Sequence, residues 1–373
     1  MKNIGLIINP IAGIGGRVGL KGSDGEKVQL LALQRGAEKE SERKARIALE
    51  LLQDEKDSIT FFAAPKSMGE FLLKEMKFLV RVVGKIDTDQ TTAIDTRKAA
   101  KEMEKLGVEL ILFAGGDGTA IDICEALGFN VPVIGIPTGV KIHSAVYANN
   151  PRNAGLAVAK FLKMKYKPTF VEAEVMDIDE ELFRQGKVQA KLHGYLKIPL
   201  FKKMMQHPKE AIRYDENDIT GIYFEIKERI EKDLNCFYVF GTGSTTYHIM
   251  QHMGLKGSLL GIDVIKNGKI MLCDATEKQL LALLENKKAK LIITVIGGQG
   301  HVFGRGNHQL SPKVIKMIGL DNLWIVANVE KIYHLINHTL YVDTSDLELD
   351  KELAGYKKII IGYHEQLVCK VAY

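Results

Sequence analysis

The chain has 373 residues, 51 of them basic and 46 acidic, for a net charge of +5, with 46% hydrophobic and 26% charged residues. That length suggests two domains, each able to bury a core, in an ordinary globular composition. Lysines are scattered among glutamates rather than clustered, which argues against a nucleic-acid binder while suiting small anionic substrates.

In chain order, residues 4–9 read as a buried strand. Gly5, Asn9 and Pro10 interrupt any apolar core that a signal peptide would need, and no run reaches the length of a membrane span. A cytoplasmic protein without membrane contact is expected. Asn9-Pro10 leads into a loop holding Gly13, Gly15 and Gly16, read either as a phosphate-facing lid or as a plain flexible loop. Helix is expected over 38–53, strand over 58–63, helix over 67–76 with Ser67 as N-cap, strand over 79–83, and helix over 93–106. Strand 108–114 follows. This βα alternation predicts a parallel sheet with helices on both faces and ligands at the carboxyl ends of its strands.

Strand 108–114 runs into Gly115-Gly116-Asp117-Gly118-Thr119, with a helix expected over 120–127. Strand, glycine turn and helix start point backbone N–H groups at an anion, and glycines let a phosphate approach the backbone. An acid inside such a turn does not attract phosphate. Asp117 therefore suits holding a divalent cation or accepting a proton from an attacking hydroxyl, which points to phosphoryl transfer. The alternative is a tight connection in which Asp117 only caps the helix. Strand 132–136 ends in another glycine turn, Thr138-Gly139-Val140-Lys141, where Lys141 could meet a phosphate as a point charge. Asn9, Gly115–Thr119 and Thr138–Gly139 thus converge on one sheet edge.

Beyond Pro151, helix is expected over 151–161 and strands over 169–177 and 188–198. Glu172 and Glu174 alternate with apolar neighbours and face solvent. Asp177 and Asp179 lie at a strand end, as a metal or ribose contact or as an exposed acidic turn. Buried strand 237–240 leads into Gly241-Thr242-Gly243-Ser244-Thr245-Thr246-Tyr247, a hydroxyl-rich helix start. Strands over 259–265, 291–296 and 323–327 are read as parallel, with helices over 277–285 and 312–317. Between them lies the glycine-rich stretch 297–309. It carries Gly298, Gln299, His301, Arg305, Asn307 and His308, a density of anion- and base-recognising groups that a purely structural loop rarely needs. The four cysteines, Cys124, Cys236, Cys273 and Cys369, form no CxxC pair and read as small buried hydrophobes rather than a metal or disulfide site.

The Gly115–Thr119 signature resembles that shared by the superfamily of NAD kinases, diacylglycerol kinases and phosphofructokinases. Thr242–Tyr247, downstream in the expected order, is similar to a segment of NAD kinases that contacts the dinucleotide. Stretch 297–309 resembles a divergent branch of ATP- or polyphosphate-dependent NAD kinases that includes proteins associated with acetoin catabolism. The resemblance covers most of the chain, and only the two motifs are shared with well-characterised NAD kinases. Their Asn-Glu or Asn-Asp motif has no clear counterpart; the sequence leaves open whether Asn217-Asp218, the one such dipeptide between the two glycine motifs, or Asp177 with Asp179 replaces it.

The resemblance implies two domains: a Rossmann-like α/β domain at 1–150 holding the Gly115–Thr119 loop, and a second domain at 151–373. The second domain is mixed β, then α/β with added strands, the last strands being candidates to pack back on the first. It implies phosphoryl transfer from ATP or polyphosphate to the 2′-hydroxyl of NAD, with Mg²⁺. Asp117 would be catalytic. Asn9, Gly115, Gly116, Gly118, Thr119, Thr138, Gly139, Lys141, Thr242, Gly243, Ser244, Thr245, Gly298 and Arg305 would bind nucleotide or phosphate, and no resident protein metal site is expected. A homo-oligomer is expected, with small-molecule nucleotides as partners. A kinase for a lipid, sugar or nucleoside hydroxyl, and a non-catalytic nucleotide sensor, stay open as alternatives.

Overall fold

A computed structural model describes the chain except residues 21–25, 38–39, 87–90, 140–141, 165–167, 179–189, 202–203, 207–215 and 297–298. Strands β1 (Lys2–Ile8), β2 (Ile59–Ala63), β3 (Val80–Val82), β4 (Leu110–Gly115) and β5 (Val133–Pro137) form a five-stranded sheet in the order β3-β2-β1-β4-β5. Every pairing is parallel. β1, β2, β4 and β5 are near-continuous apolar runs with little or no exposure, the mark of parallel strands covered on both faces. Helices α1 (Glu26–Gln34), α2 (Glu40–Glu50), α3 (Glu70–Glu75), α4 (Ala93–Lys105), α5 (Asp117–Leu127) and α6 (Pro151–Lys163) accompany it. This is the doubly wound α/β arrangement expected, and its strand order reverses between β1 and β4.

Two local expectations change. Lys66–Met68 forms a separate 3-10 turn and Gly69 precedes α3, so Ser67 is not the helix cap. The reason is Glu70, whose carboxylate accepts Lys66 N–H at 2.8 Å and closes the turn before the helix begins. α2 ends at Glu50, and Gln53–Ser58 continues as 3-10 helix.

An antiparallel pair, β6 (Phe170–Ile178) and β7 (Ala190–Pro199), forms a two-stranded sheet whose Ala173, Val175, Leu196 and Ile198 join the core of the first sheet. Helix Glu216–Glu231 contains Asn217-Asp218 in its first turn. Asp179 lies outside the described residues.

The remaining strands are β8 (Phe237–Phe240), β9 (Asp263–Lys266), β10 (Lys269–Leu272), β11 (Ala289–Thr294), β12 (Leu323–Val326), β13 (Thr339–Tyr341), β14 (Gly355–Gly362) and β15 (Glu365–Ala372). They form an eight-stranded mixed sheet, order β10-β9-β8-β11-β12-β14-β15-β13. β11 and β12 run parallel as expected, but β9 runs antiparallel to β8. Asn267 and Gly268, at φ 50 and 68, fold β9 back on β10 as a two-residue hairpin added to the sheet edge. β14 and β15 pair with each other and belong to this second sheet; past them, Tyr373 lies under the Arg152 guanidinium of α6.

β8 and β11 divide their side chains between two cores, Phe237, Val239, Leu291 and Ile293 on one face and Tyr238, Phe240 and Ile292 on the other. All four cysteines are free; Cys236 and Cys369 are buried, but Cys273 is exposed and Cys124 half-buried, contrary to the uniform burial expected. Among the described residues, no helix is long and apolar enough to cross a membrane.

Candidate active site at the seam of the two sheets

β1 and β4 are hydrogen-bonded neighbours at the reversal of strand order, so the loops at their carboxyl ends face each other. Asn9 N–H continues the ladder to Ala114 O at 2.9 Å. Its side chain clasps the two loops: Nδ2 donates to Thr119 Oγ1 at 2.9 Å, and Oδ1 accepts Ile11 N–H at 3.2 Å. Asn9 therefore positions the Gly115–Thr119 loop instead of presenting a free amide. A Cβ on Gly115 would stand 2.4 Å from Thr119 Cβ and Oγ1, so only glycine lets α5 start this close to β4. Gly115 O accepts Thr138 N–H at 3.0 Å and Gly139 N–H at 3.2 Å, tying the third loop to the second. Gly118 is exposed with nothing within 4 Å of a hypothetical Cβ, leaving the first turn of α5 open to approach. The loop after Asn9 is a succession of turns whose Ile14 and Val18 pack with Ala32.

Asp117 does not cap α5; Gly116 is the N-cap and no side chain caps that end. The Asp117 carboxylate instead spans to residues 143–144. Oδ2 accepts His143 N–H at 2.8 Å, Oδ1 accepts Ser144 N–H at 3.0 Å, and His143 Nδ1 lies 3.4 Å from Oδ2. Tyr147, fully buried edge-on to Phe113, donates its hydroxyl to Gly116 O. Burial, with Asp117 nearby, pushes that phenol well above its usual range.

The second sheet contributes through stretch 299–309. Gln299 Nε2 donates to Ile142 O at 2.7 Å, while His301 Nε2 and Arg305 Nη2 meet Asn149 O at 2.7 and 3.1 Å. The same loop that Asp117 holds is thus also held from the other sheet. Arg305 is 2% exposed, and its Nε and Nη1 have no hydrogen-bond partner. Burial lowers its pKa to about 10, against the pull of Asp343, Tyr147 and Asp117, so it is cationic at neutral pH. Burial, reinforced by Arg305, lowers His301 to about 3; burial and Lys44 do the same to His308, also to about 3. Lys44 of α2 and Asp343, just past β13, form a buried ion pair at 3.1 Å. Burial alone would raise Asp343, but Lys44 and Arg305 hold it below the usual carboxylate range. Arg43 of α2 donates to Ser345 O beside this pair.

Thr242–Thr245 lies at the carboxyl end of β8. Gly243, at φ 126, donates its N–H to Leu259 O at 2.9 Å, and Thr246 Oγ1 donates to Gly241 O at 2.7 Å. Ser244 opens the helix Ser244–His252, and Thr245 Oγ1 accepts Lys331 Nζ at 2.9 Å. Thr242 Oγ1 lies 3.9 Å from the point where a Gly306 Cβ would stand, which places this turn beside Arg305's own loop. Asp117, residues 142–149, residues 299–306 and the Thr242 turn therefore form one connected chain of contacts. Lys141 and Gly298 lie outside the described residues. Sequence reasoning missed His143, Ser144, Tyr147, Lys44, Asp343 and Lys331. None stands in a spacing that would single it out; only their sequence proximity to glycine turns or strand ends offered a signal.

A comparison with curated proteins found no match. Two family models do match: the ATP-NAD kinase N-terminal domain over residues 4–166 and the ATP-NAD kinase C-terminal domain over residues 235–371. These are domains of kinase-type phosphotransferases acting on NAD, and the first carries the Asp117 turn while the second carries the Thr242 turn and Arg305. With both domains present and in order over most of its length, the chain belongs to the NAD kinase family.

Proposed function

We propose that this protein transfers a phosphoryl group from ATP or polyphosphate to the 2′-hydroxyl of NAD, yielding NADP. The observation that carries the reading is the meeting of Asp117 and Arg305 across residues 142–149. An acid in a glycine turn and a buried guanidinium with two unpartnered nitrogens come from different domains to one place. Phosphoryl transfer requires little covalent help from protein; it requires positioning and neutralisation of charge on the transferred group. Arg305 supplies a fork of donors for a phosphate, and the N–H groups opening α5 supply more.

Asp117 accepts one backbone N–H on each oxygen, leaving a lone pair on each for a hydroxyl proton or a cation. A carboxylate so placed would suit a Mg²⁺ that arrived on the donor phosphates with most of its ligands from phosphate and water. The test is incubation of purified protein with NAD, Mg²⁺ and either donor, with NADP read by an NADP-specific dehydrogenase. NADP formation is the expected result, and its absence with both donors overturns NAD as acceptor. A parallel screen of lipid, sugar and nucleoside hydroxyls by ADP release then identifies the acceptor.

A further inference from the structure

The carboxyl edge of the second sheet holds polar groups that the proposed reaction leaves unused. After β8 the chain enters helix Ser244–His252, whose Ile249 and Met250 pack with Tyr238 and Phe240. After β11 the next helix, Pro312–Ile318, places Val314 and Ile315 against the opposite face with Val239 and Ile293. β8 and β11 are parallel, paired neighbours. Their outgoing connections part to opposite faces, the topology at which α/β sheets take ligands.

The Gly243 turn lines one side; a Cβ on Gly243 would stand 2.5 Å from Thr294 Cγ2. Thr294, the last residue of β11, is 5% exposed and its hydroxyl has no hydrogen-bond partner. Asn328, just past β12, is 1% exposed. Its Oδ1 accepts Glu330 N–H at 2.8 Å, which fixes the amide orientation and leaves Nδ2 a buried donor without a partner. From the turn that Asn328 caps, the buried Lys331 reaches back to Thr245 Oγ1.

We infer that Thr294, Asn328 and Lys331, with the Gly243–Thr245 turn, form an anion subsite that takes a phosphate of the dinucleotide. The inference rests on the functional reading above, taken with the resemblance of Thr242–Tyr247 to the NAD kinase segment that contacts the dinucleotide. The four side chains, Thr245, Thr294, Asn328 and Lys331, bring hydroxyls, an amide donor and an ammonium, and none is an acid. The N–H groups opening a nine-residue helix add the positive end of its dipole. Buried donors without partners are costly, and a phosphate oxygen satisfies several at once.

Two near-isosteric variants of the full chain test this. Thr294→Val removes the unpartnered hydroxyl, and Asn328→Asp keeps the capping oxygen while turning the Nδ2 donor into a charged acceptor. Calorimetry with NAD, inorganic pyrophosphate and adenosine, alongside Tm, reads the result. The expected outcome is a rise in Kd for NAD and pyrophosphate of about tenfold for Thr294→Val, and more for Asn328→Asp, as for loss of one hydrogen bond to a charged group. Adenosine affinity stays constant. Thr294→Val should also raise Tm, since a hydroxyl without a protein partner is removed. Unchanged NAD and pyrophosphate affinity, or equal losses for NAD and adenosine, would overturn the subsite. Variant-sensitive pyrophosphate binding by a protein that makes no NADP would sink the functional reading and leave the subsite standing.

Discussion

Replacing Asp117 by Asn preserves shape but exchanges one carboxylate oxygen for an amide N–H. Both oxygens are engaged, by His143 N–H at 2.8 Å and Ser144 N–H at 3.0 Å. Whichever way the amide turns, one backbone N–H then faces another donor. Losing a charge-assisted bond and stranding that donor costs about 1.5–3 kcal/mol. At roughly 2–4 °C per kcal/mol for a domain of this size, Tm falls by about 3–12 °C. A helix-capping Asp117 would have tolerated Asn with little loss, so the Tm measurement separates the two geometries. If the carboxylate also takes the hydroxyl proton or holds the cation, kcat falls by about 10²–10⁴. That loss exceeds anything attributable to unfolding, because a domain with roughly 5–15 kcal/mol of stability stays folded at 25 °C after this cost. The assay is the initial rate of NADP formation together with thermal unfolding on one preparation. Full kcat with a lowered Tm would refute the chemical role and leave a loop anchor; an unmoved Tm would refute the anchoring geometry.

Asp343→Asn, which strands the buried Lys44, should destabilise by about 3–5 kcal/mol in urea unfolding, whereas the double change with Lys44→Met should recover much of that. Purely additive costs would show that the pair is not coupled. His301 and His308 titrate near 3 when folded but near 6.5 when unfolded. The stability they support is therefore complete above about pH 6.5 and is lost as pH falls from there toward 3; urea midpoints across that window should decline. Asp350 has the opposite sign, since burial raises it to about 6, so its ionisation opposes folding increasingly as pH rises from about 4 to 6. Asp350→Asn keeps an oxygen for Thr344 N–H and Oγ1 and should stabilise the protein at pH 8 by about 2–3 kcal/mol, with no gain at pH 3.5. Gly118→Ala should leave Tm unchanged, as nothing lies within 4 Å of the new methyl, while Gly115→Ala should lower it sharply against Thr119. A loss of activity in Gly118→Ala at constant Tm would then report a ligand against that turn.

Determined by sequence alone were the features whose physics is local. Apolar runs at β4, β5 and β8, each running into a glycine-containing turn, dictate buried strands, because strand burial and turn geometry depend on residues within a few positions. The Asn267-Gly268 hairpin is equally local, and it turns β9 antiparallel to β8 where the strand–helix alternation predicts a parallel strand. What Asp117 touches was beyond reach, since His143 and Ser144 lie 26 and 27 positions away and meet it through hydrogen bonds from their backbone N–H groups, which no residue type advertises. Arg305 was legible as an anion binder, but its seat on Asn149, 156 positions earlier, arises only when the second sheet docks against the loop that Asp117 holds. Lys44, Asp343 and Lys331 read as three charges among many. Burial made them different, because a charge removed from water must find its partner, and which partner it finds is decided by the packing of distant segments.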